Sequence, residues 1–104
     1  LILLHDDIDL PLGRFKIVFN RGSGGHKGVE SVIRAIGSEK FVRIRIGISP
    51  KKKPNHRDLM KYLTHKFTPA QSALIKKVSK KILEALEIII NESPEKAMTL
   101  YNKN

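Results

Sequence analysis

Two segments with two-residue alternation enclose one segment with helical spacing, and this order constrains the fold more than any other feature of the chain. Apolar residues alternate with mostly polar ones from Phe15 to Phe19 and again from Val42 to Ile48. Between them, apolar residues recur every three or four positions from Val29 to Ile36. Alternation predicts half-buried strands, and the wider spacing predicts an amphipathic helix. Strands that alternate with helices indicate an α/β layer architecture.

An apolar run, Leu1 to Leu4, opens the chain and predicts a further buried strand. Asp6, Asp7 and Asp9 follow it, and we expect the turn-rich segment 9–13 to end the strand. Because α/β proteins often place their sites at the carboxyl ends of strands, an aspartate here could orient a general-base histidine or hold a metal ion. Aspartates at such a position also serve simply as acceptors for backbone N–H groups in a turn.

The second half of the chain contains two helix starts with recognisable caps. Thr68-Pro69-Ala70-Gln71 combines a capping box with proline at the first helical position, and apolar spacing extends this helix to about residue 91. Ser93 and Pro94 begin a last helix. Between residues 49 and 63 the sequence predicts a basic loop and a short amphipathic stretch.

An excess of basic residues selects the class of partner. The 20 Lys and Arg against 10 Asp and Glu give a net charge of +10, which attracts polyanions such as nucleic acid or an anionic membrane surface. Arg43 and Arg45 share one strand face and could receive phosphates or form an ordinary solvated face. Lys51 to Lys53 could add weak phosphate contacts. No apolar run approaches the roughly 20 residues of a membrane span, and the absence of cysteine excludes disulfides and a cysteine nucleophile.

A glycine-rich loop, Gly22-Ser23-Gly24-Gly25-His26-Lys27-Gly28, leads into the first predicted helix. Its glycines and the helix N-terminus could bind an anion, and a purely structural loop is the alternative. Its spacing matches neither a Walker loop nor a dinucleotide-binding loop. His26 could act as an acid, a base, a substrate donor or a helix cap. Metal binding is not expected, because His56 and His65 have no carboxylate partners at familiar ligand spacing.

Three segments in order resemble the bacterial peptidyl-tRNA hydrolase family. They are His-Asp-Asp-Ile-Asp-Leu-Pro-Leu-Gly at 5–13, Gly-Ser-Gly-Gly-His-Lys-Gly-Val at 22–29 and Phe-Val-Arg-Ile-Arg-Ile-Gly-Ile at 41–48. Phe67-Thr68-Pro69, which introduces a long helix, is similar as well. The resemblance extends over essentially the whole chain, and the order and spacing of its motifs are more specific than any one glycine loop.

The resemblance implies a single α/β domain with a twisted mixed sheet flanked by helices. It also implies hydrolysis of the ester between peptide and tRNA by a cytoplasmic monomer without metal or cofactor. In this family a histidine activates water, and the match to Asp6 implies that this carboxylate orients and stabilises that histidine, while Asp7 and Asp9 serve the turn. The remaining implied substrate and tRNA contacts are Gly24, Gly25, His26, Lys27, Arg43 and Arg45.

Two departures from the family pattern qualify this interpretation. The family's N-terminal portion, which carries the catalytic histidine, has no counterpart here, so we expect residues 1–104 to be the C-terminal portion of one domain. Lys27 stands where the family commonly has asparagine, and lysine donates hydrogen bonds without accepting them. The alternatives are a non-catalytic RNA-binding module of the same fold and a basic component of a ribonucleoprotein.

Overall fold

A computed structural model describes residues 1–50 and 66–102. The strands are β1 (Ile2–Pro11), β2 (Phe15–Phe19) and β3 (Val42–Ser49). The helices are α1 (Lys27–Ile36), α2 (Pro69–Asn91) and α3 (Pro94–Tyr101). The basic loop and amphipathic stretch predicted after residue 50, with Lys51 to Lys53, His56 and His65, lie outside the described residues.

The three strands form one mixed sheet in the order β1-β3-β2. β1 runs parallel to β3, with His5 opposite Arg45, and β2 runs antiparallel to β3, with Ile17 opposite Ile44. Because β3 is the central strand, it is paired with another strand on each side. The arrangement confirms the predicted α/β architecture with a mixed sheet and flanking helices.

The first strand is longer than the sequence predicted. β1 continues through the aspartate segment to Pro11, with an irregularity in its register between Asp7 and Pro11. The prediction that segment 9–13 ends the strand is therefore wrong for its first three residues, which belong to β1. The end of β3 supplies the partner, because Pro11 pairs with Ser49. Gly47 permits this close approach, since a Cβ there would collide with the carbonyl oxygen of Pro11.

The hydrophobic core lies between one face of the sheet and the helices α2 and α3. Its buried members are Phe15, Ile17, Val42, Ile44, Val78, Ile82, Ala85, Ile89 and Ala97. The predicted burial of the opening strand is wrong at two positions, because Leu1 is 72% and Leu4 is 42% exposed. Leu1 precedes β1, and within residues 1–50 and 66–102 β1 is an edge strand, so Leu4 has a neighbouring strand on one side only. The opposite face of the sheet carries Arg43 and Arg45.

The helix boundaries follow the predicted caps. Thr68 and Gln71 form the reciprocal capping box at the start of α2, which ends at Asn91 as the spacing predicts. Ser93 accepts a hydrogen bond from the backbone N–H of Lys96 and caps α3. In the described ranges, no helix has both the length and the apolar character needed to cross a bilayer.

The end of α3 is fastened to the second edge of the sheet by a single side chain. The Asn102 amide accepts a hydrogen bond from Ile17 N at 2.8 Å and donates one to Ile17 O at 2.7 Å. Because Ile17 offers both groups to Asn102, its backbone polar atoms point away from β3. Asn102 thus completes the hydrogen bonding of β2 at its midpoint.

Candidate functional site

A cavity of about 370 Å³ lies where the far end of β1 meets the glycine loop. Residues 5–9 of β1 form one wall and residues 21–26 of the loop form another. Arg43 and Arg45 enter from the central strand. The cavity therefore brings together the aspartates, the glycine loop and the arginines that the sequence singled out separately.

Asp6 and His26, twenty residues apart in sequence, are in direct contact. His26 Nε2 lies 3.0 Å from Asp6 Oδ1, and His26 Nδ1 accepts the backbone N–H of Val29 at 3.2 Å. This second bond makes His26 the N-cap of α1. Because Nδ1 accepts, Nε2 carries the proton and donates to Asp6. Both ring nitrogens are therefore engaged, and no lone pair is left to remove a proton from water.

The hydrogen bond from His26 is the largest influence that holds the pKa of Asp6 below its ordinary value. The Asp6 side chain is nevertheless 63% exposed. A carboxylate with one donor and an open side can accept a second donor from outside these residues. The geometry thus allows Asp6 to orient a further protonated or N–H-bearing group.

Asp7, the next residue on β1, has different partners because successive side chains of a strand point to opposite faces. Its Oδ2 lies 2.6 Å from Arg45 Nε, and its Oδ1 accepts the backbone N–H of Asp9 at 2.8 Å. The bond from Asp9 fits the turn-type role expected for Asp7. Sequence analysis missed the pair with Arg45, which requires the parallel register of β1 and β3.

Arg43 is buried, with 5% of its surface exposed. Its Nη2 donates to the carbonyl oxygen of Gly22 at 2.9 Å. Nε and Nη1 have no hydrogen-bond partner among the described residues. Burial, followed by the charge of Arg45, lowers the pKa of Arg43 from its ordinary value. The expectation of an open basic strand face therefore does not hold at Arg43, because the glycine loop covers it.

The glycine loop is closed by its own hydrogen bonds. Gly25 N donates to Ser23 Oγ at 3.2 Å, and His26 N donates to Ser23 O at 3.1 Å. Gly24 and Gly25 have φ values of +59° and +87°, which other residues rarely adopt. Because the amides of Gly25 and His26 already have partners, they are not available to an anion in this conformation.

His5 is a site residue that sequence analysis missed. Its ring packs edge-on against His26 with centroids 4.8 Å apart, and its Nδ1 donates to the backbone oxygen of Asp6 at 2.9 Å. Its Nε2 is buried without a hydrogen-bond partner among the described residues. Burial is the main cause that lowers the pKa of His5. The available sequence signal was its position directly before Asp6 on the strand.

Lys27 is the one candidate that lies apart from the cavity. It is exposed at the first position of α1, and the cavity walls do not include it. Lys27 is therefore not part of the cavity wall that contains the two arginines. In residues 1–50 and 66–102, no cluster of three or more His, Asp or Glu side chains is placed to hold a metal ion.

Comparison with known proteins gives a consistent result over the whole chain. The family model described as peptidyl-tRNA hydrolase matches residues 1–104. The peptidyl-tRNA hydrolases of Pseudothermotoga lettingae and Thermodesulfovibrio yellowstonii are each 46% identical to the chain, over 102 and 103 residues. These alignments cover 98% and 99% of the chain but 54% of each relative. The chain thus spans about half the length of the curated relatives it matches.

Solved structures agree at the level of the fold. The crystal structure of peptidyl-tRNA hydrolase from Acinetobacter baumannii matches with a TM-score of 0.77 at 21% sequence identity. The match covers 94% of this chain and 48% of that one. The strands and helices described above therefore have the same arrangement as half of that structure.

Proposed function

The chain belongs to the peptidyl-tRNA hydrolase family, and on that basis we propose that the protein hydrolyses the ester bond joining peptide to tRNA, as a cytoplasmic monomer. The observation that carries the proposal is the exposed Asp6 carboxylate, held by His26 beside a cavity that also contains two arginines. The net charge of +10 supports a polyanionic substrate.

In the proposed reaction, a histidine outside residues 1–104 takes a proton from water as the water oxygen attacks the ester carbonyl carbon. The bond to the ribose oxygen then breaks, and the imidazolium returns the proton to that oxygen. Asp6 accepts the other N–H of this histidine and stabilises its protonated form. An ordinary aspartate is already ionised at neutral pH, and His26 lowers the pKa of Asp6 further, so Asp6 has the negative charge that this role needs.

His26 has a positioning role in this proposal. Its Nε2–H fixes one oxygen of Asp6, and its Nδ1 caps α1. For His26 to act as the base instead, it would have to give up one of these two bonds. Together with Gly24 and Gly25, it is proposed to border the groove for the peptidyl end of the substrate.

Arg45 and Lys27 are the proposed contacts for tRNA phosphate. Arg45 uses Nε for Asp7, and its two terminal nitrogens have no hydrogen-bond partner among the described residues. Terminal guanidinium N–H groups that line a cavity suit a phosphate oxygen. Lys27 is exposed and can meet a phosphate as a mobile point charge.

A second candidate function is RNA binding without hydrolysis. The engagement of both ring nitrogens of His26 favours it, because the histidine in contact with Asp6 has no free lone pair. A basic ribonucleoprotein component would also explain the charge. It gives no reason for an exposed carboxylate with a lowered pKa beside a cavity.

Release of labelled peptide from peptidyl-tRNA by the purified full-length protein separates these functions. We expect turnover, with His26→Asn keeping activity within about tenfold of the parent and Asp6→Asn losing far more. Binding of tRNA without release would support the RNA-binding module. Loss of activity in His26→Asn equal to that in Asp6→Asn would assign the base to His26.

A further inference from the structure

The place of Arg43 in the fold differs from that of a phosphate ligand. It lies on the central strand, with Leu3 opposite on β1 and Val18 opposite on β2. Although Arg43 lines the cavity, only 5% of its surface is exposed and its Nε and Nη1 are buried, so it offers little surface to a phosphate.

The hydrogen bonds of the loop show what Arg43 holds. At the start of the loop, Gly22 O accepts from Arg43 on β3; at its end, His26 donates to Asp6 on β1. Between these points, Ser23 closes the turn through bonds within the loop. Among the described residues, one hydrogen bond at each end thus ties the loop to the sheet.

We propose that Arg43 is a positioning residue, which fastens the glycine loop to the sheet so that His26 meets Asp6. The tie at the His26 end is weak by itself, because the Asp6 side chain is largely exposed and water competes for such bonds. The tie at Gly22 is part-buried, and its donor is charged, which makes such a bond about twice as strong as a neutral one. Loss of Arg43 therefore leaves His26 held by the exposed contact and its helix cap.

The proposal predicts different effects for three substitutions. Arg43→Met keeps an unbranched apolar stem and removes every donor. Arg43→Lys keeps one charged donor for Gly22 O and loses the planar fork that a bidentate phosphate contact needs. Arg14→Met is the matched control, since Arg14 is exposed and lies at the opposite end of β2 from the loop.

Two measurements on the purified full-length protein test the proposal. The ¹⁵N shifts of the His26 ring report its tautomer and do not depend on catalysis. Arg43→Met should give a mixture of tautomers, whereas Arg43→Lys and Arg14→Met should keep the Nε2–H form. The salt dependence of tRNA binding should have the same slope in Arg43→Met and Arg14→Met. A phosphate contact at Arg43 would lower the slope by about 0.7–0.9 relative to the control.

The activity readout rests on the proposed function, and the ring shifts do not. We expect kcat to fall in Arg43→Met by no more than in His26→Asn, within about tenfold, and to be largely restored in Arg43→Lys, because Arg43 acts on the reaction only through the placement of His26. An inactive parent protein would overturn the proposed function and leave the tautomer test standing. Unchanged His26 shifts in Arg43→Met, together with a lower salt slope, would overturn the positioning role.

If Arg43→Met does not fold, the test uses Arg43→Lys alone, and the measurement is the hydrogen exchange of backbone amides. A weaker tie at Gly22 should speed exchange of the loop amides of Gly25 and His26, with the slowest core amides unchanged. Loop exchange identical to the parent would overturn the proposal.

Discussion

Arg45 on the central strand and Asp7 on β1 form an ion pair across two parallel strands, with Nε 2.6 Å from Oδ2. Asp7 is opposite Gly47 in the register, so Arg45 reaches it diagonally along the same face. The pair joins the aspartate segment of the cavity to its basic strand. It also gives the Asp7 carboxylate, whose side chain is only 11% exposed, a partner of opposite charge.

Asp7→Asn is expected to lower the free energy of unfolding by about 1–3 kcal/mol, since it weakens a charge-assisted hydrogen bond with limited access to water. Urea unfolding at neutral pH measures the change. Glu87→Gln, an exposed change on α2, is the control and should stay within about 0.5 kcal/mol. Equal stability of Asp7→Asn and this control would mean that the ion pair contributes nothing to the fold.

Arg45→Ala should weaken binding to all tRNAs by a similar factor and reduce the salt slope by about 0.7–0.9, because one phosphate contact is lost. Binding titrations at several salt concentrations, with at least two tRNAs, provide the measurement. An unchanged slope with loss of affinity for only some tRNAs would instead indicate sequence reading by Arg45.

Asp6→Asn should reduce kcat of the full-length protein by roughly a hundredfold to ten-thousandfold and change tRNA binding little, because the amide keeps the shape and removes the charge. Asn Oδ1 can still accept from His26, so the loop should stay in place. The kinetics of Asp7→Asn are the comparison. If the two variants lose kcat equally, Asp6 has no special role in the reaction.

His26→Ala should cost about 1 kcal/mol of stability through loss of the cap on α1, and His26→Asn should cost less, because asparagine is a good N-cap. Both variants remove the imidazole ring, but only asparagine can still cap α1. Thermal or urea unfolding of both variants checks the expectation. The same loss in both would show that the bond to Val29 N does not stabilise the helix.

Stability should fall as the pH is lowered from about 6.5, the ordinary pKa of a histidine. The folded pKa of His5 is lowered, so below pH 6.5 the unfolded chain takes up a proton that the folded chain refuses. The loss grows until the pH reaches the folded pKa. Unfolding of the parent and of His5→Asn at pH 7.5 and 5.5 should show a smaller pH effect in the variant. Asp6 does not interfere, because its lowered pKa acts below pH 3.8.

The elements that could be predicted from sequence are those whose signals are local. Alternation identified β2 and β3, and the capping box with Pro69 fixed the start of α2. The end of β1 was misplaced because Asp9 and Pro11 favour turns, while the strand is maintained by pairing with Ser49, nearly forty residues away. A local pattern contains no information about that partner.

The same limit applies to the site. Motif matching selected Asp6, His26, Arg43 and Arg45, and these residues do meet at one cavity. Their pairing was not predictable, because it depends on strand order. Because β3 is the central strand, a residue on the polar side of its alternation pattern can still be buried. Arg43 is such a residue. Alternation distinguishes the two faces of a strand and does not show what lies on each.

Asn102 has a consequence for self-association. An edge strand with free N–H and C=O groups is a template on which another chain can form a new strand. At Ile17, midway along β2, both groups are already taken by the Asn102 amide. An incoming strand would have to displace this side chain and find its ladder interrupted in a stretch of only five residues. One asparagine thus hinders the addition of a further strand at this edge of the described sheet.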